Sequence, residues 1–401
     1  TRTIGEEDKG KTAWAVGDEI CVKLESKELG TQTATLKYNG VKFELQDGNS
    51  LGYLEDEPVT AYAYYAPNRK WLNDGNLGYK DGEHDGTAEF LEATCTVHYG
   101  DDNYVDISFA NATRNYSRLR IATIPKTEIK VDADNFAPTD NPNLLYMTYT
   151  LTSDEKGNAY LYGTFDNNSI VTVKYRGASL ATHKFSKKTE NAKSYVLDAT
   201  VISANSAEEI KSAIEQEVAN SKTAIRLNLA SDAGDNEFNA IREAFENVQD
   251  ATIDLTLIGC KEIPVNGLYR IMALKSITLP DVTKIRMDAL SSCLYLQEIC
   301  APNVSAIDEY AFGKCRYLKK VTLGKLTDVR GEANSRSGIF DDINDLNPDI
   351  DLYLPKNQEV MEFDENSKQY IWKPTGESYF AGSDKDNVFL GYQFMSVKKW
   401  E

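Results

Sequence analysis

Side-chain chemistry needs reactive groups in pairs or clusters, and this 401-residue chain supplies few of them. Its three histidines, His84, His98 and His183, are scattered, with no H-E-x-x-H string, and the G-x-S-x-G match Gly48-Asn-Ser50-Leu-Gly52 falls at the turn signal Asp47-Gly48 between strand-like runs and not at a strand-to-helix elbow. Neither an activated nucleophile nor a zinc-protease helix is indicated. No G-x-G-x-x-G string is present, and although Gly5-Glu-Glu-Asp-Lys-Gly10-Lys11-Thr12 has P-loop spacing, it has no strand-like run before it, no helical pattern after it and three acids inside it, which is no cradle for a phosphate. Carboxylates are too numerous for any one pair to stand out. The six cysteines, Cys21, Cys95, Cys260, Cys293, Cys300 and Cys315, form no C-x-x-C pair and no Cys/His cluster. That argues against zinc and dithiol redox chemistry and for mostly buried thiols.

One stretch has the spacing of a cation site. In Asp81-Gly-Glu83-His-Asp85-Gly86-Thr-Ala-Glu-Phe-Leu-Glu92, oxygen ligands fall at loop positions 1, 3, 5 and 12 with glycine at 6, as in an EF-hand calcium loop. Gly75 and Gly78 upstream and the Thr94 to Tyr99 run downstream are poor flanking helices, so a solvated loop is favoured and calcium is the alternative. No other cofactor is expected. The acidic insertion with Asp341, Asp342, Asp345, Asp349 and Asp351 reads as solvated too. The strand-like Thr60-Ala-Tyr62-Ala-Tyr64-Tyr65 offers rings for sugar stacking, with packing inside a sandwich the favoured use.

Forty-four Lys and Arg against 62 Asp and Glu leave a net charge of −18, which repels nucleic acid and anionic lipid headgroups. No apolar run is long enough to span a membrane, and the polar opening Thr1 to Lys11 is unlike an export signal, so the chain is expected to be cytosolic or to have lost a leader. At 41% hydrophobic residues the chain can fill packed cores, and its length calls for two or three domains.

From Trp14 to about Tyr195, short alternating runs are separated by turn residues, as in a β-sandwich region. The runs include Glu19 to Leu24, Thr33 to Tyr38, Val59 to Tyr65, Leu119 to Ile124, Leu144 to Leu151, Ala159 to Phe165 and Ile170 to Tyr175, the last two parted by the turn signal Asp166-Asn167-Asn168. The Asp-, Asn- and Pro-rich segment from Val131 to Pro142 is expected to divide two β subdomains. At Ser206 the period changes to that of a helix, with Ser206-Ala-Glu-Glu209 as a capping box and Ile210, Ala213, Ile214 and Val218 on one face. A second helix is expected from about Asn236 to Val248, and short strands follow each helix at Ile225 to Leu229 and Ile253 to Leu257.

The strongest pattern is a 22-residue repeat. Leu274-Lys-Ser-Ile277-Thr-Leu279, Leu296-Gln-Glu-Ile299-Cys-Ala301 and Leu318-Lys-Lys-Val321-Thr-Leu323 are in step, as are Val282, Val304 and Leu326, and a divergent copy contains Leu255, Leu257, Cys260, Ile263 and Leu268. Such a period predicts a leucine-rich-repeat solenoid in which stacked coils share one core. Cys293 and Cys315 are equivalent positions and read as core rungs before they read as a redox pair. After Val329 the period breaks, and the tail from Tyr370 to Trp400 reads as strands covering the open end. Side chains between the inner leucines must face outward. They form one ladder of Asp254, Ser276, Glu298 and Lys320 and another of Thr256, Thr278, Cys300 and Thr322, the surface on which repeat proteins usually bind ligands.

The string Asp288-Ala-Leu290-Ser-Ser-Cys293-Leu-Tyr-Leu296-Gln-Glu-Ile299, repeated as Tyr310-Ala-Phe312-Gly-Lys-Cys315-Arg-Tyr-Leu318-Lys-Lys-Val321, resembles the BspA-like leucine-rich repeat. The N-terminal part resembles a fimbrillin-like β-sandwich through Trp14-Ala-Val-Gly17-Asp18-Glu-Ile20, Ala34 to Gly40, Val59 to Tyr65, Ile107-Ser-Phe109 and Ser117 to Ile121. These resemblances imply an exported lipoprotein of a Gram-negative anaerobe, displayed at the cell surface or outer membrane and lipid-anchored through a removed segment ahead of Thr1. They also imply a role in adhesion or fimbria-like assembly. The expected architecture is multidomain and mainly β. A sandwich subdomain at 1–130 and a second β subdomain at 131–204 precede a solenoid with a helical N-terminal cap at 205–369 and a β-rich C-terminal cap at 370–401. The expected function is non-enzymatic binding of an extracellular protein or glycoprotein through the repeat surface. The alternatives are a fimbria-like structural or anchoring subunit and a glycan-binding or glycan-processing surface lipoprotein.

Overall fold

The computed structural model describes residues 2–3, 11, 13–46, 50–54, 57–100, 103–139, 146–248, 250–331, 338–340, 349–364, 366, 370–381 and 386–400. Among these the chain is mainly β, with two helices, and divides into two units: Thr1–Val173 with Ala181–Ala199, and Lys174–Leu180 with Thr200–Glu401.

The first unit begins with an antiparallel sheet in the order Phe43–Leu45, Gly30–Tyr38, Glu19–Ser26, Val59–Tyr65, Leu91–Glu92. Alternation decides which side chains turn inward: Ile20, Val22, Ala63, Tyr65 and Leu91 are buried and pack with Trp14, Leu36, Phe43, Ile107 and Phe109. Trp14 is the hub, edge-on to Phe43 at 4.9 Å, Phe109 at 5.3 Å and Tyr65 at 5.5 Å. A mixed sheet follows, in the order Arg2–Thr3, Ser194–Asp198, Ser117–Ala122, Asn158–Tyr175, Glu128–Pro138, Tyr146–Thr152, with Ala178–Lys184 also on the long strand.

Two readings change here. The segment expected to divide subdomains lies, up to Pro138, inside the strand Glu128–Pro138, and its remainder from 140 to 142 is outside the described residues. Its polar residues misled because they occupy the outer face: Ile129, Val131, Ala133 and Phe136 are buried while Lys130, Asp132 and Asp134 are not. Asp166-Asn167-Asn168 is not a turn between two strands but a bend within the single 18-residue strand Asn158–Tyr175, with Asn168 at φ 67. Asparagine tolerates that left-handed conformation, so the strand re-aims without ending.

In the second unit, helix α1 (Ala207–Ala219) is capped by Ser206, whose hydroxyl accepts the Glu209 N–H at 3.3 Å, while the Glu209 carboxylate reaches back to the Asn205 N–H at 2.8 Å. Helix α2 (Asp235–Ala244) buries Phe238, Ala240, Ile241 and Ala244. It ends four residues before the expected Val248, with Phe245 as its C-cap.

From there the chain winds between two sheets. One runs Ile202–Ser203, Ala224–Asn228, Ile253–Ile258, Leu274–Thr278, Glu298–Ala301, Lys320–Leu323, Asp351–Pro355 and Ser396–Trp400, all parallel. The other stacks the short strands Glu262–Ile263, Lys284–Ile285, Ala306–Ile307 and Asp328–Arg330 in parallel, then adds Ile371–Ser378 and Glu359–Asp364 antiparallel. Leu274, Leu296 and Leu318 are wholly buried, as are Ile277, Ile299 and Val321. They form rungs of one core that continues into Phe340, Tyr392 and Phe394. The Cys293 thiol donates to the Leu268 carbonyl at 3.0 Å and the Cys315 thiol to the Leu290 carbonyl at 3.2 Å, so these cysteines are pins between coils. The tail closes the core with Phe389, Tyr392 and Phe394, and it also supplies a further parallel strand.

Candidate binding surface

The parallel register brings the eight ladder residues together in two columns. Asp254, Ser276, Glu298 and Lys320 are successive Cα partners, and so are Thr256, Thr278, Cys300 and Thr322. Both columns run on, the first into Asp351 and Ser396, the second into Tyr353 and Lys398. The sequence hid these rungs because Lys320 and Asp351 are 31 residues apart where the repeat predicts 22. The alternation in Asp351-Leu-Tyr-Leu354-Pro, which copies the earlier rungs, was the available signal.

The face is a chain of polar contacts. The Ser276 hydroxyl donates to Asp254 Oδ1 at 2.6 Å, and Lys320 Nζ meets Glu298 Oε1 at 2.5 Å. Lys398 Nζ meets Asp351 Oδ2 at 3.0 Å, and the Ser396 hydroxyl donates to the same carboxylate. Lys320 and Lys398 both lie over the Tyr353 ring, at 5.6 and 5.5 Å, a cation–π arrangement shared by two charges. The Ser396 and Lys398 contacts hold the Asp351 carboxyl below its ordinary pKa. Burial works against the Lys320 charge, but the Glu298 hydrogen bond and charge outweigh it and raise its pKa. Cys300 is half-buried in the second column, and burial, with Glu298 beside it, pushes its thiol up to about 11. A thiol so shifted is protonated near neutrality and is a poor nucleophile. Thr256 is buried, so the accessible part of its column starts at Thr278.

The calcium candidates are not brought together. The Asp81 carboxylate meets Lys70 Nζ at 3.3 Å in full solvent, Glu83 accepts from the Thr87 hydroxyl at 3.2 Å, and Glu92 sits in a strand opposite Tyr64. Gly86, at φ +78, serves packing: a Cβ there would stand 3.0 Å from both Pro138 Cβ and the Tyr162 carbonyl. Among the described residues no three His, Cys, Asp or Glu side chains form a metal-sized group. The tyrosine strand is spent on packing, with Tyr64 stacked on Phe90 at 5.6 Å and Tyr65 against Trp14. Of the insertion acids, Asp341, Asp342 and Asp345 lie outside the described residues. His98 pairs with Asp106 at 3.0 Å and stacks on Tyr104 at 4.3 Å, across a hairpin. No described helix is long and apolar enough to cross a membrane.

Residues 240–343 match the family model of the BspA type leucine rich repeat region, in six copies. No curated protein matches the chain. A candidate cell adhesion protein from Bacteroides uniformis ATCC 8492 is 13% identical over 47% of this chain and 88% of its own, with a TM-score of 0.30. A fimbrial protein from Bacteroides ovatus ATCC 8483 is 12% identical over 49% of this chain and 46% of its own, with a TM-score of 0.24. At these scores neither structure bears on the fold or role of this one.

Proposed function

We propose that this chain is a non-enzymatic interaction protein of the cell surface that holds an extracellular protein or glycoprotein on the outward face of its long-strand sheet. The observation that carries this reading is the run of in-register polar positions from Asp254 to Ser396 and from Thr278 to Lys398. A flat, half-exposed sheet with a tyrosine between two lysines has the composition of a binding surface, where aromatic anchors ringed by charge hold most of the energy. The BspA type region and the fimbrillin-like N-terminal motifs support display outside the cell.

The test is a screen of the purified chain against extracellular-matrix proteins, host surface glycoproteins and polysaccharides, beside the variant E298K/K320E. That exchange keeps an ion pair between the two positions but takes the Lys320 charge off the Tyr353 ring and sets a carboxylate beside Asp351, so a lost ligand reports on the surface only when the variant melts at the temperature of the natural chain. A protein ligand bound by the natural chain and lost by the variant supports the reading, whereas equal binding by both removes the ligand from this face.

A fimbria-like subunit is the second reading, and one observation favours it. Among the described residues, the strand Ser194–Asp198 pairs along its length with Arg118–Ala122 on one side and is matched at Val196 and Tyr195, by Arg2 and Thr3, on the other. A strand held at a sheet edge by so short a partner suits strand addition from a neighbour. Concentration-dependent polymers, in place of ligand binding, would favour it.

A further inference from the structure

We propose that the flank of the solenoid leading into the long strands is a second binding site, specific for an anionic polysaccharide that carries sulfate or carboxylate groups. Three equivalent segments, 270–275, 292–297 and 314–319, lie side by side there. Backbone bonds fix their alignment: Arg270 N–H to the Ser291 carbonyl, Ser292 N–H to Gly313, Gln297 N–H to Lys275 and Lys319 N–H to Gln297. In a chain of net charge −18 these segments hold Arg270, Lys275, Lys314, Arg316 and Lys319 and not one Asp or Glu. All five cations are exposed, and none has an ion pair among the described residues.

Elsewhere on the repeat surface several charges are neutralised in place, Glu298 by Lys320, Asp351 by Lys398 and Asp308 by Arg286. Leaving five like charges unpaired along one flank repels the fold slightly, and a surface with that cost is matched by a negatively charged partner.

Two tyrosines decide what kind of polyanion fits. Tyr295 and Tyr317, equivalent residues of successive coils, are 40% and 53% exposed and stack at 5.6 Å with their planes 25° apart. They give a nearly continuous aromatic surface between the cation columns. Pyranose rings present C–H faces that pack on such rings, while their sulfates or carboxylates reach the flanking Lys and Arg. Adjacent coils rise by ~4.8 Å, so the pairs Arg270/Lys314 and Lys275/Lys319, two coils apart, stand roughly 10 Å apart. A charge repeat of that order belongs to an extended disaccharide unit. An acidic peptide would use the cations and leave the tyrosines idle. This site adjoins the long-strand face, since Lys275 lies in the strand Leu274–Thr278 and Lys319 precedes Lys320, but it does not depend on the function proposed for that face.

The test measures binding of the full chain to heparin, to the same polysaccharide stripped of sulfate, to uncharged dextran and to poly-L-glutamate, over a range of salt. The chain is expected to hold heparin, to release it as salt rises with a log–log slope of about one per cation engaged, and to ignore dextran. R316E/K319E should weaken heparin binding at least tenfold and flatten the salt dependence, as should K275E/K314E, which changes one cation in each of the two charged coils. Y295S/Y317S should weaken heparin severalfold and leave the salt slope unchanged. Melting temperatures equal to that of the natural chain show that these surface variants are folded. Unchanged heparin affinity in both charge variants would overturn the site. Poly-L-glutamate bound as tightly as heparin, with no effect of the tyrosine change, would overturn the polysaccharide.

Discussion

Truncating Leu296 to alanine tests whether the coils are stacked in the register described. The side chain is wholly buried, with Leu274 and Leu318 at the equivalent points of the flanking coils. Removing three carbons forfeits ~2.4 kcal/mol of transfer energy at ~0.8 per methylene. The neighbours on both sides are fixed by the same hydrogen-bonded ladder and relax little, so a cavity term is added and the total should reach about 3–5 kcal/mol. Each coil depends on its neighbours, so the loss should appear as earlier unfolding of the whole repeat unit. For a unit of roughly 200 residues, at about 2–4 °C per kcal/mol, the unit's melting temperature should drop by ~6–12 °C or more. Tyr295→Ala is the control. That residue is 40% exposed and stacks on Tyr317, so its loss should cost about 1 kcal/mol, well below that of Leu296. Calorimetry on both variants decides the matter: a loss below ~1 kcal/mol for Leu296→Ala, or one for Tyr295→Ala that exceeds the Leu296→Ala loss, would refute the register.

Other perturbations reach other parts of the account. Arg114→Ala strips the buried Glu89 carboxylate of its guanidinium partner, now at 2.5 Å, and should destabilise the first unit by about 3 kcal/mol in urea titrations. Burial pushes Cys21 and Cys300 up to about 11 and Cys260 and Cys293 up to about 12, from 9.0. The unfolded chain therefore sheds these protons first. The thiols' contribution is complete below about pH 9 and falls as pH climbs to 12, so melting temperatures should decline over that range, less steeply in Cys300→Ala. For the same reason iodoacetamide at neutral pH should label the native thiols far more slowly than those of the unfolded chain. Adding calcium should leave both melting temperatures unchanged, because Asp81, Glu83, Asp85 and Glu92 form no common site.

The solenoid was legible because a stacked repeat writes its geometry into the sequence. A 22-residue step put Ile277, Ile299 and Val321 on one rung, and their outward neighbours followed from alternation. What stayed hidden lay where composition and topology part company. Asp132 and Asp134 gave a strand the look of a linker, since a one-sided sheet writes half its residues for water. The Asp341 insertion displaced the rung of Asp351 and Tyr353 by nine positions, so extrapolation missed Tyr353 and Lys398, two of the three members of the cation–π cluster. Gly86 fitted a calcium loop and a close backbone approach equally well, and spacing alone does not separate those uses. The basic flank escaped notice because its charges come from two coils, 44 residues apart in sequence, with a coil that carries none between them.

The central claim, that the long-strand face holds a protein ligand, is tested most directly by the affinity of that ligand for E298K/K320E. The reference is a chain with an exposed ion pair exchanged elsewhere, K126E/E155K, where both side chains are more than two-thirds exposed. The account predicts at least a tenfold loss for the first exchange and none for the second. Equal affinity for the natural chain and both variants would contradict it.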